Sequence, residues 1–183
     1  FMTDPRFFPW LWEIEDEIRS LIPMVYYHVW DNYPYPRFNR VWYDSTDVVV
    51  AISKVTHDII KNVAPTVETH YLPHAVDPNN FKPLTTEQKQ ELREKGDIDK
   101  DKFIVFWNNR NARRKQTGTL IFWFKEFLDR IGHNKANLIM HTDPHDINGP
   151  NLHAVLQEVG LVSGQVKFST NKLDFNQMAA MYN

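Results

Sequence analysis

Four cations fall within six residues in the stretch Asn108-Asn109-Arg110-Asn111-Ala112-Arg113-Arg114-Lys115, namely Arg110, Arg113, Arg114 and Lys115. Guanidinium and ammonium groups at this density suit one kind of chemistry above others, the binding of anions through charge-assisted hydrogen bonds, phosphate first among them. Two other readings stand beside it. A basic turn before a helix is often a solvated cap, and a basic cluster also suits a nucleic-acid backbone.

The flanking elements favour the anion site. Phe103 to Trp107 is a short, continuous apolar run of β-forming residues, as in a strand of a buried parallel sheet. It breaks into Asn108 and Asn109, which favour turns and tolerate left-handed backbone. After Thr117, Leu120, Ile121, Phe124, Phe127, Leu128 and Ile131 recur near helical spacing. A strand, a cationic turn and a helix N-terminus concentrate backbone amides, helix dipole and fixed cations at one point.

The bulk numbers bound the rest. The chain has 183 residues, enough for one ordinary domain or two small or incomplete ones. A hydrophobic content of 42% supports a core, and a net charge of −2 gives no global drive toward nucleic acid or anionic membranes. The basic cluster is therefore local. With no cysteine there are no disulfides, thiolate metal sites or cysteine nucleophiles. No apolar run approaches the ~20 residues a membrane helix needs, and the chain shows no signal peptide, so a cytoplasmic protein is expected, with peripheral membrane association open.

Along the chain, Trp10 to Leu21 predicts a helix with Leu11, Ile14, Ile18 and Leu21 on one face, ended by Pro23. Met24 to Val29 predicts a strand that delivers His28, Trp30 and Asp31 at its carboxyl end, where ligands sit in open α/β sheets. Phe38 to Asp44 predicts a short helix and Val48 to Ile52 a strand. Ser53 is placed to cap a helix from Lys54 to Val63. His70 to Leu72 predicts a strand, and Thr86 to Lys95 a helix capped by Thr85 or Thr86. Further strands are expected at 136–141 and 166–168, and helices at 151–160 and 174–182. Such alternation argues for parallel sheets with crossover helices.

Four segments taken in order resemble a known family. Met24-Val25-Tyr26-Tyr27-His28, Val48-Val49-Val50-Ala51-Ile52-Ser53, Tyr71-Leu72-Pro73-His74-Ala75-Val76-Asp77 with Phe81-Lys82-Pro83, and Asn109-Arg110…Lys115 are together similar to the retaining, nucleotide-sugar-dependent glycosyltransferases of the GT-B group called family 4. The resemblance implies an α/β, GT-B-like chain of two Rossmann-like parallel-sheet domains, both incomplete. Residues 1–72 would be the end of the acceptor-side domain, 73–102 the crossover, and 103–183 the first part of the donor domain. It implies that Arg110 and Lys115 grip the donor diphosphate, that His28 contacts the transferred sugar, and that Ser169, Thr170 and Asn171 flank the base. It implies a nucleoside-diphosphate sugar as donor, no required cofactor or metal, and an acceptor that is a carbohydrate, lipid or protein. The chain departs from the family at His74-Ala75, Asn109 and Gln116, where the family usually has Asn-Gly, Gly and Gly. The family's Glu-x7-Glu element would begin just after Tyr182, so this piece alone is expected to be inactive.

Other constellations compete for attention. His141-Thr142-Asp143-Pro144-His145-Asp146 carries imidazole and carboxylate groups close in sequence, as in a metal-binding or simply polar loop. Trp10, Trp12, Tyr26, Tyr27, Trp30, Tyr33, Tyr35, Trp42 and Tyr43 suit either a sugar-stacking surface or core packing. P-loop, dinucleotide and serine-hydrolase signatures are absent. The remaining alternatives are a non-catalytic nucleotide- or phosphate-binding module, an assembly component, or an RNA-binding fragment.

Overall fold

The computed structural model describes residues 1–2 and 4–183. Its elements are α1 (Pro9–Glu13), α2 (Glu15–Arg19), β1 (Val25–His28), α3 (Arg40–Asp44), β2 (Val48–Ala51), α4 (Lys54–Val63), β3 (Glu68–Tyr71), α5 (Thr86–Lys95), β4 (Phe103–Asn108), α6 (Thr117–Ile131), β5 (Ala136–His141), α7 (Leu152–Glu158), β6 (Val166–Ser169) and α8 (Phe175–Met181). The chain divides into two compact units, Phe1–Val76 and Asp77–Asn183. The charged stretch 77–102, with α5, groups with the second.

Each unit holds one three-stranded parallel sheet, ordered β1-β2-β3 and β4-β5-β6. In the first, alternate residues of β2 turn Val49 and Ala51 inward, where they meet Ile59, Ile60 and Val63 of α4. Tyr26, Tyr43 and Trp12 complete that core. The aromatic-rich start of the chain thus divides. These three fill the interior, while Trp10, Tyr33 and Tyr35 are exposed.

Helix α4 starts where Ser53 was expected to start it. Ser53 accepts a hydrogen bond from the Thr56 amide at 3.0 Å, and the Thr56 hydroxyl donates to the Trp30 carbonyl at 2.8 Å, tying the cap to the end of β1. Ser53→Ala is expected to lower stability by about 1 kcal/mol, read as a lower urea midpoint at unchanged m-value. Helix α5 likewise opens on a capping box, with Thr85 and Gln88 each bonded to the other's amide.

One expected helix is corrected. The run from Trp10 to Leu21 breaks at Ile14, whose φ of −116° and ψ of 19° belong to neither flanking helix. Its intended apolar face forms only in part, since Ile14 and Leu21 are exposed, Leu11 lies partly buried against the core and Trp12 is the residue that packs fully inward. An indole buries more area than an isoleucine, and its Nε1 also donates to the Trp42 carbonyl at 3.2 Å.

In the second unit β5 is the central strand, and Ala136 through Met140 are all buried. On one face Leu138 and Met140 pack with Ile121, Phe124 and Leu128 of α6 and Leu152 of α7. Phe127 and Ile131, the outer edge of the predicted apolar stripe, remain exposed. The strands are in register so that Asn108, His141 and Ser169 pair across the carboxyl ends of β4, β5 and β6. The apolar strands end together in one polar row.

Candidate functional site

The polar row is bonded to its surroundings. His141 Nδ1 lies 2.9 Å from Ser169 Oγ, and Asn108 Nδ2 donates to the Tyr182 hydroxyl at 3.1 Å. Thr170 and Asn171 follow as exposed residues beyond β6. Neither Asn108 nor Asn109 takes the left-handed conformation their types suggested. That conformation occurs at Gln116, with φ 56° and ψ 37°. A non-glycine residue there carries a cost of about 1–2 kcal/mol. Gln116 is held by its Oε1, which accepts from the Thr119 hydroxyl at 3.0 Å.

Gln116 is also the N-cap of α6 and makes no side-chain cap. The amides of Thr117, Gly118 and Thr119 are therefore left to whatever lies outside, as at any uncapped helix start. They border an open depression of ≈ 420 Å³ lined also by Arg113, Gly149 and Pro150.

Two loops meet at this point, 109–116 after β4 and 142–151 after β5. Asn111 is fully buried between them. Its Nδ2 donates to the Pro150 carbonyl at 2.9 Å, and its Oδ1 accepts from the Thr117 hydroxyl at 2.7 Å. The Arg113 amide donates to the Asn148 carbonyl at 3.0 Å. Gly149 packs against Asn111 so closely that a Cβ there would fall on the Asn111 side-chain amide and 2.5 Å from its carbonyl oxygen.

Of the predicted cations, Arg110 is paired and Lys115 is not. Arg110 Nε donates to Asp146 Oδ2 at 2.5 Å and Nη2 to Oδ1 at 3.3 Å. Asp146 also accepts from the Asn148 amide at 2.9 Å and from its Nδ2 at 2.8 Å. The Arg110 guanidinium, then these two bonds, hold the Asp146 carboxyl far below the usual carboxylate range, while Asp146 raises the Arg110 guanidinium. Among the described residues Arg113, Arg114 and Lys115 have no ion-pair partner. Lys115 is half-buried in a short 3-10 turn.

The sequence reading missed Asp146 as a partner of Arg110, because nothing in a run of polar residues says which of them faces another loop. It was weighed only as a metal ligand. Among the described residues no three His, Asp or Glu side chains gather as a metal would need. His145 instead lies against His153, ring centroids 5.0 Å apart, and His153 against Phe168.

His28 belongs to the first unit and closes β1 as expected, yet its imidazole is only 1% exposed. Its Nε2 lies 2.7 Å from the Tyr43 hydroxyl, and Tyr26 packs beside the ring. In this conformation it presents no edge to a ligand. Burial lowers its pKa from 6.5 to about 4, against a small upward pull from Asp4. The unfolded chain therefore takes up this proton first as pH falls. Stability contributed by neutral His28 is complete above pH 6.5 and is lost progressively toward pH 4. Urea midpoints at pH 7 and pH 5 should differ, and His28→Phe should shrink that difference.

Another cavity of the second unit, ≈ 440 Å³, lies on the opposite face of the sheet from α6. It is lined by apolar residues such as Leu92, Ile98, Ile104, Phe106 and Ile139. Lys89 and Arg93 also line it, and Arg93 Nη1 donates to the Asp99 and Lys102 carbonyls at 3.2 and 3.0 Å.

No family model matches the sequence, and no curated protein does. Solved structures do. The chain is similar to HepE from Anabaena in complex with UDP-glucose, at 18% identity and a TM-score of 0.64, over 88% of this chain and 45% of that one. It is similar to an α,α-trehalose 6-phosphate synthase from Burkholderia multivorans, at 13% identity and a TM-score of 0.68, over 94% of this chain and 47% of the other. A glycosyltransferase from Rickettsia africae matches at 15% identity and a TM-score of 0.59, over 98% and 54%. The fold is a GT-B-like α/β fold, and the chain spans about half the length of the structures it matches. Among the described residues no helix is long and apolar enough to cross a membrane.

Proposed function

We propose that this chain is part of a retaining glycosyltransferase that takes its sugar from a nucleoside-diphosphate sugar, with the donor bound at the carboxyl end of β4, β5 and β6. The observation that carries the reading is the Arg110 guanidinium. It stands exposed beside the polar row of strand ends while its other edge is anchored on Asp146. Exposed cations close to an uncapped helix start are what a diphosphate requires.

On this reading the bond between the sugar's anomeric carbon and the diphosphate oxygen breaks through an oxocarbenium-like transition state. Negative charge then gathers on the leaving diphosphate. Arg110 and Lys115 stabilise it as fixed cations, more strongly in the transition state than in the ground state, with no required metal. Ser169, Thr170 and Asn171 lie toward the base. His28 would contact the sugar only after its ring leaves Tyr43. The acceptor is a carbohydrate, lipid or protein, and the complete protein, rather than this chain alone, is the active species.

HepE has been captured with UDP and with UDP-glucose, which makes UDP the first nucleotide to test. A calorimetric screen of UDP, GDP and ADP should find saturable binding of one of them. Binding of all three no tighter than sulfate would overturn the proposal.

A further inference from the structure

We propose that Asp146 is a positioning residue for Arg110, one that fixes the guanidinium so that its remaining edge meets the donor diphosphate. The inference rests on the reading of this region as a diphosphate site and goes beyond it, since Asp146 itself touches no substrate.

The geometry separates the two edges of the guanidinium. Asp146 occupies the Nε side, through Nε to Oδ2 and Nη2 to Oδ1. Nη1 and the outer hydrogen of Nη2 remain, which is the end-on pair suited to a second bidentate acceptor. Exposure agrees with this division of labour. The Asp146 side chain is 12% exposed and that of Arg110 67%. The carboxylate is the anchor, and the arginine is what it presents.

The anchor is itself fixed. The Asn148 amide and side chain both donate to Asp146 Oδ1, and the Gly149 amide donates to the Asp146 carbonyl at 3.0 Å. The same loop is joined to 109–116 by the Arg113–Asn148 and Asn111–Pro150 bonds. Arg110 thus leans on a carboxylate whose loop cannot drift away from the loop that carries Arg110.

A rival role is occlusion, in which Asp146 stands in for phosphate and weakens binding by repulsion. Geometry decides against it. Asp146 holds the Nε side of a guanidinium whose other edge is exposed, so a phosphate on that edge lies across the guanidinium from the carboxylate. Through the water around so exposed a group, one carboxylate repels one phosphate charge about 6 Å away by only about threefold in affinity, less at physiological salt. Freezing a free arginine side chain costs up to about thirtyfold. Removing Asp146 should therefore weaken diphosphate binding, although Coulomb's law alone predicts that it tightens.

The test is a double-mutant cycle by calorimetry with two probes, UDP and inorganic pyrophosphate, on the wild-type chain, Asp146→Ala, Asp146→Asn, Arg110→Ala and Arg110→Ala/Asp146→Ala, with thermal melts of each. Asp146→Ala is expected to weaken both probes by about three- to tenfold, and to have no further effect once Arg110 is gone. Asp146→Asn keeps the shape and one acceptor oxygen, and should fall between wild type and Asp146→Ala. A purely structural role would weaken binding in the Arg110→Ala background as well, and that result overturns the inference. So does unchanged or tighter binding in both Asp146 variants while Arg110→Ala still loses affinity. Arg110→Ala binding as tightly as wild type, or no saturable binding by the wild type, instead removes the diphosphate site itself.

Discussion

Arg110→Ala is expected to weaken nucleoside-diphosphate affinity by at least about tenfold, because charge-assisted hydrogen bonds are worth ~1.5–3 kcal/mol. The guanidinium is the one cation of the cluster whose position the fold specifies on one side and leaves exposed on the other. Lys115 is a compact charge on a flexible stem, without an ion-pair partner among the described residues, so Lys115→Ala should cost less than Arg110→Ala. Arg110→Lys should recover little of the loss, since an ammonium cannot serve Asp146 and a phosphate with two parallel edges. Calorimetry separates these cases from a nonspecific loss of positive charge. Arg114→Ala, removing another exposed cation of the same loop that has no ion-pair partner among the described residues, should leave affinity within about threefold of wild type, the scale of a screened surface charge.

Gly149→Ala is expected to be the most damaging small substitution in the second unit. The new methyl would meet both the Asn111 side chain and, at 2.5 Å, its backbone carbonyl oxygen. A flexible side chain could turn away, but a carbonyl fixed in a loop cannot. Overpacking of this kind costs about 1–3 kcal/mol. Displacing Asn111 would add the loss of its bonds to Pro150 and Thr117, made by a fully buried amide. Urea denaturation should show a lowered midpoint, and a weakened junction should also lower UDP affinity through Arg110. Asn111→Ala tests the same junction from the other side. It empties the side-chain space against Gly149 but leaves the Thr117 hydroxyl and the Pro150 carbonyl without that partner.

Local signals carried most of the fold. The Ser53 and Thr85 caps, the strand Ala136–His141 and the helix that begins at Thr117 occur where side-chain chemistry places them. These elements are set by neighbours close in sequence, through orphan amides, turn formers and apolar periodicity. The run from Trp10 to Leu21 was misread because its periodicity was complete, whereas the choice between Ile14 and Trp12 as anchor depends on Tyr26 and Trp42, which lie far along the chain.

The same division holds at the candidate site. Four closely spaced cations were visible as an anion-binding signal, and the polar ends of β4 to β6 could be aligned once the strands were placed. The pairing of Arg110 with Asp146 spans 36 residues, and no local pattern announces it. The burial of His28 against Tyr43 is of the same kind. Sequence position put His28 at a strand end, where ligands gather, but only the packing of α3 against that strand decides whether the ring faces them.

The measurement that bears most directly on a donor site at the end of the second sheet is hydrogen–deuterium exchange with and without saturating UDP. The account predicts slowed exchange at amides 108–119, with lesser protection at 141–149 and 169–171. Protection confined to the groove around Leu92 and Ile104, with 108–119 unchanged, would contradict it.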